Sequence, residues 1–259
     1  MIIFWGKTLG EADKTVKKLW DSGLRAMLDY GLENALDNAA CDRNLDEFIL
    51  TIDSTKLFAT SPVSFIVVKV TAICPPGLLR RAYLKDARER LVIAKKAADE
   101  MGVPIGFKLV RGAYMSSEKR FALSLGVNSP IHDSIEDTHA CYDDCAAFML
   151  EEIAKGSGSV VLATHNLESG KFAAAKAVDL GIKKENQNLQ FAQLYGMAEA
   201  LSFGLRNAGF KVSKYLPFGP VEQVMPYLLR RAEENKGLLS TSSLDRELMR
   251  KELMRRFRP

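Results

Sequence analysis

This chain of 259 residues is poor in the residues that disulfides, metal centres and membranes require. It has four cysteines, Cys41, Cys74, Cys141 and Cys145, which is no disulfide framework at this length and points to a reducing compartment. Histidine occurs three times, and only His139 falls near a cysteine pair, Cys141 and Cys145 one helical turn apart. No second ligand pair follows, so a metal site there lacks its other half. The most apolar run, Val63 to Cys74, is broken by Lys69 and is too short to cross a bilayer. It reads instead as a buried strand. Neither charge dominates: 36 basic against 32 acidic residues give +4, with the basic ones scattered. That gives no case for nucleic acid, although it suits an anionic substrate or cofactor. The first residues, Met1 to Lys7, have neither a signal-peptide layout nor a transit-peptide composition, so no address is visible.

What remains is ordinary globular material, 47% hydrophobic and 26% charged, enough for one large core. Apolar runs alternate with helical patterns, which predicts parallel βα units. Helices are expected at Gly10–Ser22, Leu45–Leu57, Ala82–Met101, His139–Lys155, Lys171–Asp179 and Ala198–Asn207. Strands are expected at Arg25–Tyr30, Phe65–Ile73, Ile105–Val110, Val160–Thr164, Leu189–Leu194 and Val212–Leu216. Ser242 to Pro259, opening on a capping-box-like Ser242 and Asp245, predicts a closing helix.

The stretch Lys214-Tyr215-Leu216-Pro217-Phe218-Gly219-Pro220 runs into a helix carrying Tyr227, Arg230, Arg231 and Glu234. These lie at i, i+3, i+4 and i+7 and share one face. Gly219 and Pro220 give a turn and a helix-starting proline, and Gly237 is a stop signal. Two adjacent guanidiniums can grip a small carboxylate with paired hydrogen bonds, with Glu234 bracing Arg230 and Tyr227 adding an apolar wall. The same spacing also describes a solvated surface face.

Three further strand ends carry polar residues. Lys108-Leu109-Val110-Arg111-Gly112-Ala113-Tyr114 ends a strand with two cations, a glycine that permits close approach of a ligand, and an aromatic. Ala163-Thr164-His165-Asn166 closes the next, and Gln193-Leu194-Tyr195-Gly196-Met197 the one after. Lys69 is a charge inside an apolar strand, so it either reaches solvent at the strand end or has a partner and a task.

The run Lys214 to Gly219 followed by Pro226 to Asn235 resembles the C-terminal signature of the FAD-dependent proline dehydrogenases. The resemblance implies oxidation of L-proline to Δ1-pyrroline-5-carboxylate, with FAD as cofactor and a quinone as electron acceptor. It also implies a mitochondrial location with peripheral association at the inner membrane. In that family the residues matching Arg230 and Arg231 bind the proline carboxylate, and those matching Tyr215, Tyr227 and Glu234 line or brace the pocket. Tyr215 would close the site, Tyr114 would lie beside the substrate ring, and Leu194 would form a pocket wall. Lys108 matches a position near the flavin N5. Arg111, Gly112, Ala113, Thr164 and His165 match cofactor contacts, and Lys69 matches the substrate-side lysine. Proline and hydroxyproline both remain open as substrates.

The resemblance covers most of the chain, is nearest to plant-like eukaryotic members, and breaks at 75–82. There the family carries a long segment with two barrel strands, an acid that pairs with the substrate-side lysine, and a flavin-contacting glutamine. Arg81 stands in the place of that glutamine, and no residue here is matched to the acid. The expectation is therefore one domain over 1–259, an α/β fold derived from the (β/α)8 TIM barrel with about six of eight strands, and activity that is reduced or absent. Two other readings stand beside it. One is an inactive barrel remnant that binds a ligand or partner. The other is an aldolase-type barrel with Lys69 as Schiff-base nucleophile.

Overall fold

A computed structural model describes residues 9–32, 37–55, 62–69, 87–111, 115–234 and 242–257. In chain order the elements begin α1 (Leu9–Asp21), β1 (Arg25–Tyr30), α2 (Asn38–Thr55) and β2 (Val63–Val67). There follow α3 (Ala87–Glu100), β3 (Gly106–Val110), α4 (Met115–Leu125), α5 (Ile135–Ala154), β4 (Ser159–Ala163) and α6 (Leu167–Asp179). The last are β5 (Leu189–Leu194), α7 (Glu199–Asn207), β6 (Val212–Phe218), α8 (Val221–Glu234) and α9 (Ser242–Phe257). The chain divides into two compact units, one of residues 1–81, 193–199 and 212–259, the other of 82–192 and 200–211.

In the first unit β1 lies between β2 and β6 and is parallel to both, with Ala26 opposite Lys214, Tyr30 opposite Phe218, and Asp29 opposite Val67. A central parallel strand is covered on both faces, so it needs apolar residues at nearly every position rather than at alternate ones. Accordingly β1 is buried from Ala26 to Tyr30 and β6 along its whole length. Tyr30 packs edge-on against Phe218 and Phe48, with ring centroids 5.3 and 6.4 Å apart. Gly31 follows β1 because a side chain there would strike Val224 of α8, only 2.6 Å from its Cβ position. Gly219, between β6 and α8, takes a φ of 132°, which an L side chain rarely adopts.

In the second unit β4 lies between β3 and β5, again parallel, with Lys108 opposite Val161 and Leu162 opposite Phe191. The core here is built by α5, whose Tyr142, Ala146, Met149 and Ile153 recur at helical spacing and are buried. Among the described residues, β2 pairs with β1 alone and β3 with β4 alone. Both strands are half-exposed as a result, and Phe65 and Val110 meet solvent.

Strands β1 and β5 have the expected bounds, while several helices start earlier than their apolar periodicity does. Helix α2 begins at Asn38, because Asp37 accepts a hydrogen bond from the Ala40 N–H (2.7 Å). Helix α5 begins at Ile135, capped by Ser134, and α6 at Leu167, capped by Asn166. Helix α8 begins at Val221, so Pro220 is not its first residue; the Pro220 carbonyl instead accepts the Val224 N–H (3.1 Å). Helix α4 was not anticipated. The expected strand residues Val70–Ile73, the helix residues Ala82–Asp86, Arg81 and the stop at Gly237 lie outside the described residues.

Candidate active site

The strand ends of the first unit build a cluster around one aromatic ring. Tyr227, on α8, is buried because its position faces the sheet. Tyr215, on β6, lies beside it with ring centroids 6.2 Å apart. The Lys69 ammonium, just past the end of β2, sits 4.5 Å from the Tyr227 ring centroid. The guanidinium carbons of Arg230 and Arg231 lie 6.0 and 5.4 Å from the same centroid. Both arginines are half-buried, which sets them apart from a solvated helix face. Five residues expected from the sequence, Lys69, Tyr215, Tyr227, Arg230 and Arg231, thus gather at one place. An aromatic face carries negative charge density, so it holds cations close without a hydrogen bond.

No acid is matched to Lys69 by the resemblance to the family, yet Lys69 has one in the fold. Asp29, on the neighbouring strand β1, places Oδ2 2.8 Å from the Lys69 ammonium. Its side chain is fully buried, and that of Lys69 is 13% exposed. A buried carboxylate in the run Met27-Leu28-Asp29-Tyr30 is the same kind of signal as Lys69 itself: a charge inside an apolar strand. Leu194, the last residue of β5, is half-buried in this unit. Glu234 ends α8, and its side chain lies outside what is described.

A second cluster forms at the strand ends of the other unit. Arg111 directly follows β3 and donates to Ser169 Oγ (3.1 Å) in the first turn of α6. Asn166 caps that helix and accepts the Ser169 N–H (2.9 Å). The Arg111 guanidinium also lies 5.7 Å from the Tyr142 ring. Burial pulls it below its ordinary range, opposed by Tyr142 and Asp143. His139, whose ring nitrogen is 3.5 Å from the Asn166 side-chain amide, is likewise lowered by burial and by Arg111. Thr164 is buried, donates its N–H to Ala192, and accepts the Asn166 N–H (3.1 Å) through its hydroxyl. His165 follows it, half-buried, and Lys108 stands exposed in β3. A cation beside a helix N-terminus favours an anion, through its charge and through the helix dipole together. Gly112, Ala113 and Tyr114 lie outside the described residues. Burial pushes the Cys145 thiol up to about 12 and raises Cys141 as well.

The sequence pattern of the proline dehydrogenases matches residues 75–243. The mitochondrial proline dehydrogenase 2 of Arabidopsis thaliana is 40% identical over 362 residues, covering 97% of this chain and 76% of that protein. An alignment of that length against a chain of 259 means that the plant protein carries a segment this one lacks. The mitochondrial proline dehydrogenase 1 of Homo sapiens is 34% identical over 254 residues, covering 97% of this chain and 39% of the human protein. Among solved structures, proline utilization A from Bdellovibrio bacteriovorus, inactivated by N-propargylglycine, superposes with a TM-score of 0.80 at 20% identity. It covers 90% of this chain, which spans about a third (32%) of that protein. The likeness gives the fold: α/β, derived from the eight-stranded TIM barrel, with six strands among the described residues.

Proposed function

This chain belongs to the proline dehydrogenase family, and from that premise we propose that it oxidises L-proline to Δ1-pyrroline-5-carboxylate with FAD as hydride acceptor. The observation that carries the reading is the gathering of Lys69, Arg230 and Arg231 around the Tyr227 ring. Proline offers a carboxylate and a small apolar ring, and this cluster offers paired guanidiniums and an aromatic wall. Asp29 keeps the Lys69 ammonium oriented as a third positive centre. Tyr215, beside Tyr227, closes the pocket over the substrate ring, with Leu194 as a further wall. Holding the substrate in one pose replaces a random encounter with a fixed one, which is the chain's main catalytic contribution.

The residues of the second unit fit the cofactor. Arg111 bonded to the first turn of α6 suits a diphosphate, and Lys108, Thr164 and His165 complete the set present among the described residues. When bound, FAD accepts a hydride from the carbon next to the proline nitrogen. The electrons then pass to a quinone, with the protein peripheral to the inner mitochondrial membrane, in keeping with the mitochondrial names of the relatives.

Purified protein mixed with FAD and proline tests the reading. Proline-dependent reduction of an acceptor dye is expected, slower than in a family member that carries the missing segment. Among the described residues β2 and β3 each pair on one side, which favours a second reading, an inactive remnant that binds a ligand or partner. It gains if the protein retains no stoichiometric flavin and reduces no dye.

A further inference from the structure

Lys214 is a wholly buried lysine in the middle of β6, beside Tyr215. Successive strand residues face opposite ways, so Tyr215 turns to Tyr227 and Lys214 to the other side. There its ammonium donates to the Met197 carbonyl (2.8 Å) and lies 3.1 Å from Glu199 Oε1. The same carboxylate oxygen accepts the Gly196 N–H (3.0 Å), and the Tyr195 N–H donates to the Tyr215 carbonyl (3.1 Å). Inside this loop Ala198 has a φ of 51°, the one positive value at a non-glycine among the described residues. An alanine held in the left-handed region persists only where its surroundings over-determine it, and such strain gathers at ligand clamps.

We propose that Lys214 is a positioning residue that locks the Tyr195–Glu199 loop in its strained shape. It thereby fixes Tyr215, and Leu194 on the neighbouring strand, as walls of the substrate pocket. The proposal rests on the proline reading for what the pocket holds, although the lock itself does not. Without the ammonium, Met197 and Glu199 lose their shared donor, Ala198 relaxes, and the wall loosens while the arginines stay in place.

Lys214→Met keeps the volume and removes the charge. Amide exchange across Tyr195–Glu199 should quicken by at least about ten-fold, a local opening, with β1 and α5 unchanged. The KM for proline should rise by about ten-fold with kcat within about two-fold, the mark of lost pocket shape rather than lost chemistry. Adding Ala198→Gly, which accepts that φ without strain, should bring exchange and KM part of the way back. Unchanged exchange and KM would overturn the proposal. So would exchange that quickens uniformly with no rescue, which would make Lys214 an ordinary core residue. If the wild-type protein turns over no proline but Lys214→Met still opens the loop locally, the lock stands and the proline reading falls.

Discussion

Lys69 and Lys95 are both lysines largely withdrawn from solvent, and the difference between their surroundings separates holding from binding. Lys95, on α3, is 2% exposed and donates to Asp99 Oδ1 (2.6 Å) and Ser157 Oγ (2.7 Å), with Glu152 3.6 Å away. Those partners come from one turn along its own helix, from α5, and from the turn that leads into β4. Gly158 leaves room for it: a Cβ there would stand 3.0 Å from Lys95 Cε. Lys69 lies past the C-terminal end of a strand, takes its acid from the neighbouring strand, and shares an aromatic ring with two arginines. In barrel folds the N-terminal ends of strands serve stability and the C-terminal ends serve chemistry. The two lysines divide along that line.

The largest effect should come from Arg231→Met. Hydrogen bonds to a charged group contribute about 1.5–3 kcal/mol, and a bidentate grip lies at the upper end, so kcat/KM for proline should fall about 100-fold, mostly through KM. The melting temperature should barely move. Retained proline affinity would remove the carboxylate-binding role from this cluster. Asp29→Asn is next: losing the acid frees the Lys69 ammonium to reorient, and kcat/KM should fall about ten-fold. Pairing it with Lys69→Met should restore thermal stability relative to either single change, because no charge is left behind in the strand. Lys95→Met supplies the contrast. It should lower the melting temperature by about 5 °C, from about 1–2 kcal/mol of lost hydrogen bonding, and leave the KM for proline within about two-fold. A KM shift there, measured alongside the melt, would break the division.

The same contrast explains what could be read in advance. The Tyr227, Arg230, Arg231 face was legible because helical periodicity is local, and α8 carries all three residues. Lys69 was visible as an oddity, but its partner was not. The Asp29 pairing depends on the register of β1 against β2, which neither strand's sequence contains. The Lys214 lock was invisible for the same reason, since it joins β6 to a loop that ends β5. Helix starts at Asn38, Ile135 and Leu167 were missed because the caps that set them are polar and precede the apolar pattern.

The smallest expected effect concerns acid, and it sharpens the stability half of the comparison. The hydrogen bond from the Lys95 ammonium holds the Asp99 carboxyl below the usual aspartate range; desolvation opposes it, and the Lys95 charge and then Ser157 assist. A carboxyl whose folded-state pKa is depressed contributes stability that is present above its unfolded value, about 3.9. That contribution drains away as the pH falls from there through the lower folded value. Between pH 7 and 5 the pair should therefore give no slope, and below about pH 4 the wild-type protein should lose stability faster than Lys95→Met. Asp99 is half-exposed, so water screens the pair and the extra slope should be shallow. Thermal melts of the two proteins at pH 6, 4 and 3 measure it. Parallel acid limbs would mean that Lys95 holds α3 through Ser157 and Glu152, and that the Asp99 bridge contributes nothing.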